Sequence, residues 1–156
     1  VVSAAEHRDD AATDWPTLLY LVGRADRVVR RAMNDVLAVH ALSLNQYTTL
    51  SVLDQRGGLS NAQLARRSLV SPQSMNEVLL SLEQRGFVRR RAQPGHGRIL
   101  QAQVTPKGRK VLTACEAEVD AVEERMTKGL SPQERSSLRR ALLECVHSLD
   151  GGLVGR

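Results

Sequence analysis

The chain has 156 residues, 42% of them hydrophobic and only 3% aromatic, and a net charge of +5. That is about one domain's worth of chain, long enough to bury a real core, which must be built from Leu, Val and Ala. No apolar run approaches the length of a membrane span, and the N-terminus lacks a signal-peptide pattern, so a cytoplasmic protein is expected.

Two cysteines, Cys115 and Cys145, are too few for a disulfide framework and lack metal-ligand spacing. The histidines His7, His40, His96 and His147 are scattered, so neither a metal nor a cofactor is expected. Nor is there a phosphate loop, a nucleophile elbow or a pair of acids beside a Gly-rich turn, which argues against an enzyme. Charge is segregated: from Arg56 to Lys110 eleven Lys and Arg face two Glu, a balance of +9 that leaves −4 for the remainder. Such segregation points to an anionic polymer as partner. No strongly amphipathic basic helix points to a membrane surface.

In chain order, Val1–Asp14 is polar and rich in small residues, and a disordered tail over 1–14 is expected. From Trp15-Pro16 onward, Leu18, Val22, Ala25, Val29, Ala32 and Val36 alternate spacings of 4 and 3, a helix of about six turns with a narrow seam. Helix starts follow with similar chemistry. Ser43 and Ser60 each precede a Gln by three residues, the capping-box pattern. Ser71, Thr105 and Ser131 each precede a Pro, which needs no N–H at the first helical position. Gly57-Gly58 and Gly86 are placed as stops.

The middle thus reads as helices over 44–56, 60–68 and 71–85, the last two joined by a tight Leu69-Val70 turn as in a helix-turn-helix. Met75, Val78, Leu79 and Leu82 should face the core, leaving Gln73, Ser74, Asn76 and Glu77 outward. Gln and Asn can pair with adenine edges, and a carboxylate can accept from cytosine N4. Leu80 fits neither face. Phe87–Ala92 and the alternation of Leu100, Ala102 and Val104 predict a hairpin with its turn at Gln93–Gly97. Arg89, Arg90, Arg91 and Arg98 crowd it, and phosphates would relieve their repulsion. Two further helices carry seams, Leu112, Cys115, Val119, Val122 and Met126, then Leu138, Leu142, Cys145 and Leu149. These should pack with the N-terminal helix across a two-fold axis, with Gly151-Gly152 closing the fold.

Trp15 to Leu149 resembles the multiple-antibiotic-resistance (MarR) family of winged-helix regulators. The resemblance is carried by Leu64-Ala65, the run Leu82-Glu83-Gln84-Arg85-Gly86-Phe87-Val88-Arg89-Arg90, Arg98, and Val104-Thr105-Pro106-Lys107-Gly108. It implies a mainly α fold with a small β-hairpin wing. Residues 15–42 and 106–150 would form a helical dimerisation region, and 43–105 a winged helix-turn-helix DNA-binding region. It also implies a homodimeric repressor of adjacent genes on a pseudo-palindromic operator in double-stranded DNA. A small-molecule effector, aromatic or phenolic, would release it.

By the same resemblance Ser71, Gln73, Ser74 and Asn76 contact bases, and Arg98 enters the minor groove. Tyr20, His40 and Tyr47 are candidates for an effector pocket, with plain packing as the competing reading. Two positions depart from the family: His96 stands where an Asp usually orients the wing arginine, and Glu77 where a basic residue is common. Two alternatives stay open, a thiol-based redox sensor using Cys115 and Cys145 and a winged-helix module that binds protein. Both cysteines sit on apolar seams, where burial is the expectation.

Overall fold

The computed structural model describes residues 16–93 and 96–150; the side chains of 93, 96–99 and 150 lie outside that description. The expected tail over 1–14, the Pro94-Gly95 tip and Gly151-Gly152 are likewise outside the described residues. The element order is α1 (Leu18–Ala38), α2 (Leu44–Arg56), β1 (Leu59–Ser60), α3 (Asn61–Arg67), α4 (Pro72–Gln84), β2 (Val88–Gln93), β3 (His96–Val104), α5 (Pro106–Met126) and α6 (Pro132–Asp150).

Local chemistry sets these starts. Ser43 and Ser60 form full capping boxes with Gln46 and Gln63, and Ser71 accepts from the backbone N–H of Ser74. At α6, Ser131 Oγ accepts from Glu134 N at 3.3 Å, while Glu134 Oε2 accepts from Ser131 N at 2.8 Å. Leu69, in the left-handed region with φ 52, ends α3, and Val70 N donates to Ala65 O at 3.1 Å; this closes the helix-turn-helix corner.

The sheet is three-stranded and antiparallel in the order β1-β3-β2. The hairpin was expected; β1 was not, because two residues have no visible period. Leu59 pairs with Ala102 and Val88 with Val104. Leu37, Leu50, Leu53, Leu64, Met75, Leu79, Leu82 and Val88 form the fully buried heart of the core.

The seams are used unequally. On α1, Met33 and Leu37 are buried while Leu18, Val22 and Ala25 are exposed. On α5, Leu112, Cys115 and Val122 are buried and Met126 is not. Each described side chain of α6 is exposed, Cys145 included, which corrects the expectation that both cysteines are buried. Leu80 is exposed, which answers where it goes.

The corner after α4 explains the motif run. Gly86, with φ 71, ends the helix. Thr105 Oγ1 donates to Gly86 O at 2.7 Å and accepts from Gly108 N at 3.1 Å. A Cβ at Gly108 would overlap the Phe87 carbonyl, so only glycine lets α5 start against the strand. Arg85 Nη1 donates to Ala41 O at 2.7 Å, and its guanidinium lies 4.5 Å from the Phe87 ring centroid. Lys107 Nζ donates to Arg85 O at 2.9 Å.

Glu83 completes the corner. Its carboxylate takes Arg90 Nε at 2.8 Å and Nη2 at 2.6 Å, and the Arg90 backbone N–H at 3.2 Å. The hydrogen bond from the Arg90 side chain holds the Glu83 carboxyl below its ordinary range, against the opposing effect of burial. A depressed carboxylate contributes stability that is fully present above its unfolded pKa and is lost as pH falls through the folded one. In urea unfolding, Glu83→Gln should therefore be less stable than the parent at pH 7, by no more than about 1 kcal/mol for a pair this exposed. The gap should shrink as pH falls below about 4.5. A gap that stays constant down to about pH 3 would detach this ion pair from stability.

Candidate nucleic-acid interface

The first two turns of α4 present the polar edge that the sequence suggested. Gln73 and Glu77 are exposed one turn apart, with Asn76 half-buried beside them. Ser71 and Ser74 are exposed but engaged with each other: Ser74 N donates to Ser71 Oγ at 3.1 Å, and the two hydroxyls lie 2.9 Å apart. Asn61 Nδ2 donates to Pro72 O at 2.9 Å, tying the start of α3 to that of α4. The edge thus stands at a helix N-terminus, whose unpaired N–H groups and dipole favour anions.

Strand alternation divides the arginines that the sequence grouped together. Arg89 and Arg91 are exposed, paired in register with Gln103 and Gln101, and Arg89 Nη2 donates to Gln103 Oε1 at 3.4 Å. Arg90 shares the face of buried Val88 and turns to α4, where it meets Glu83 and donates from Nη1 to Asn76 Oδ1 at 3.2 Å. Of the arginines grouped as DNA contacts, Arg90 is thus already paired with a carboxylate of its own chain. The backbone of Arg98 lies in β3, as does that of His96, which pairs with Gln93; both side chains lie outside the described ones. Sequence reasoning missed Glu83 and Asn61 as parts of this surface. The only trace was an opposite-charge pair flanking Gly86.

A cavity of about 150 Å³ lies between α1, α2 and the helix-turn-helix, lined by Arg30, Asn45, Thr48, Ser74, Met75 and Val78 among others. Its wall thus includes the recognition-helix candidate itself. Tyr20, His40 and Tyr47 do not line it. Tyr20 is on the exposed first turns of α1, and Tyr47 packs against the core. His40 Nε2 lies 3.6 Å from Glu118 Oε1. Cys115 is buried and its thiol is pushed up by burial and then by Glu118, the opposite of a reactive thiolate. Among the described residues no cluster could hold a metal, and no helix is long and apolar enough to cross a membrane.

The MarR family model matches residues 42–100. The HTH-type transcriptional repressor Rv2887 of Mycobacterium tuberculosis is 38% identical over 131 residues, 84% of this chain and 94% of its own. The crystal structure of the M. tuberculosis MarR family protein Rv2887 in complex with salicylic acid is 36% identical, with a TM-score of 0.68, covering 85% of this chain and 98% of that one. The same protein in complex with DNA is 34% identical, with a TM-score of 0.69, covering 83% and 97%. Likeness of this extent reaches well beyond the helix-turn-helix alone. The chain belongs to the MarR family of winged helix-turn-helix transcriptional regulators, which are regulators and not enzymes.

Proposed function

We propose that this protein is a homodimeric, DNA-binding repressor of adjacent genes. Residues 15–42 and 106–150 form its dimerisation region and 43–105 its reading head. The observation that carries the DNA reading is the exposed polar edge of α4, tied through the Asn76–Arg90 hydrogen bond to β2, the strand that also carries exposed Arg89 and Arg91. The relative solved with DNA supports it. Ser71, Gln73, Ser74, Asn76 and Glu77 lie at the major groove, Arg89 and Arg91 meet phosphates, and Arg98 enters the minor groove.

Dimerisation is supported by α6, whose Leu138, Leu142, Val146 and Leu149 are exposed along one face of the helix, and by exposed Leu18, Leu19 and Val22 on α1. Stripes of this size on two helices need a cover. A two-fold axis through them would set the heads one helical turn apart, about 34–36 Å, and demand a pseudo-palindromic operator.

The effector is a small aromatic acid seated in the cavity beneath α4. About 150 Å³ is below the size of drug-like pockets and suits a single ring. Arg30 at its edge supplies a cation, already shared with Asp26 at 2.9 Å. The relative solved with salicylic acid is consistent with that chemistry. Occupancy would push on Ser74 and Met75 and shift the population away from the DNA-competent spacing. The thiol-sensing alternative loses Cys115, which is buried with its pKa raised, and rests on the exposed Cys145 alone.

Three measurements test these parts. In salt-titrated binding to duplex DNA, Arg98→Ala should weaken every sequence and lower the salt slope by about one, whereas Gln73→Ala should mainly relax sequence preference; no loss for Arg98→Ala removes the wing from the complex. Light scattering at micromolar concentration should give a dimer for the parent and a monomer for Leu142→Glu; a monomeric parent rejects the platform. Millimolar salicylate should lower DNA affinity of the parent and leave Thr48→Trp, which fills the cavity, unaffected. An equal response in both places the effector elsewhere.

A further inference from the structure

Asn76 stands just over one turn inside α4, between the exposed reading edge and the wing. Its Oδ1 accepts from Arg90 Nη1 at 3.2 Å. A guanidinium has donors only, so the amide atom facing it must be the oxygen; the partner itself fixes which way the amide is flipped. Arg90 is not free to turn away. Its side chain is 17% exposed and gripped by Glu83 through Nε at 2.8 Å and Nη2 at 2.6 Å. Glu83 also takes the Arg90 backbone N–H at 3.2 Å, so strand and side chain are held together. Glu83 therefore holds Arg90, Arg90 holds the Asn76 carbonyl, and the amide's two N–H donors point away from the guanidinium.

Reading adenine bidentately requires an amide that accepts from N6 and donates to N7. Here one of the carbonyl's two lone pairs takes a charged donor, and the other is left beside a guanidinium cation whose charge opposes the approach of a further amino donor such as adenine N6. Guanine presents two acceptors, O6 and N7, to a pair of donors, whereas adenine would set its N6 amino group against them. Building on the DNA-binding reading above, we propose that Asn76, oriented by the Glu83–Arg90 pair, reads bases through its amide donors and so favours guanine over adenine in the major groove. Arg90 is then a positioning residue rather than a phosphate contact, and the backbone-binding charge of β2 rests with Arg89 and Arg91.

The test is selection of binding sites from random duplex DNA, followed by affinities on the selected sites over a range of salt. The parent should carry guanine at one position per half-site, favoured over adenine about fivefold or more. Asn76→Asp keeps an acceptor for Arg90 but loses both donors, so that position should move to cytosine, whose N4 amino group donates. Arg90→Met frees the amide and should flatten preference at that position alone, with the parent's salt slope. Adenine preferred over guanine, an unchanged position in Asn76→Asp, or a slope lower by about one in Arg90→Met overturns the proposal. If Arg90→Met does not fold, the Asn76→Asp arm decides alone. A parent that binds no DNA at low salt overturns this proposal together with the reading beneath it, and is recognised because the parent itself fails.

Discussion

The structure turns on the corner where α4 ends and β2 begins. Within seven residues, Leu82 and Val88 anchor the core, Glu83 takes hold of Arg90, Arg85 reaches the α1–α2 turn, and Gly86 reverses the chain. Magnitudes separate the roles. Truncating a buried leucine such as Leu82 to alanine costs about 2–5 kcal/mol, while a partly exposed ion pair contributes about 1 kcal/mol or less. Packing therefore makes the corner exist, and the polar contacts decide its angles. A shift of those angles moves the recognition helix relative to the wing, so the weak interactions carry most of the geometric information.

The same corner fastens the reading head to the rest of the molecule. Gln46, which caps α2, also donates from Nε2 to Ser81 Oγ at 2.9 Å and accepts from Arg85 Nη1 at 3.4 Å. Lys107 closes the other side by donating to Arg85 O. α4 is thus joined to the α1–α2 turn, α2 and α5 by hydrogen bonds around Arg85 as well as by core packing. Hydrogen bonds of this kind are individually worth about 0.5–1.5 kcal/mol, small enough for a ligand to redistribute. A joint made wholly of buried leucines would resist such adjustment.

What the sequence disclosed follows the range of each interaction. The helix caps at Ser43, Ser60, Ser71, Thr105 and Ser131 were legible because donor and acceptor lie within four residues of each other. The stripe Met75, Leu79 and Leu82 was legible because a helix repeats its faces. β1 escaped because a two-residue strand exists only through its pairing with β3, some forty residues away. The Glu83–Arg90–Asn76 chain escaped for the same reason: its members sit on two elements, and strand alternation rather than composition singled out Arg90. The motif of the family contains both Glu83 and Arg90, but a motif records which residues recur and not what they touch. Cys145 was misplaced because a seam marks an apolar face without saying which chain covers it.

That last point bears on how a protomer of this kind is stabilised. α6 is a nineteen-residue helix with every described side chain exposed. Length alone does not secure such a helix, since most helical stability in proteins comes from burying an apolar face. Its caps at Ser131 and Glu134 contribute about 1 kcal/mol, far below what an unsupported helix needs. In the proposed dimer the missing burial comes from the second copy, so folding of the terminal helices and assembly become one event. The spacing of the two reading heads is then fixed by the same contacts that keep α6 helical. The cavity under Ser74 and Met75 lies between α1, α2 and the α4 edge. In the proposed reading a ligand there would bear on both walls, on Arg30 of α1 and on Ser74 and Met75 of α4, and so on the angle between the two helices.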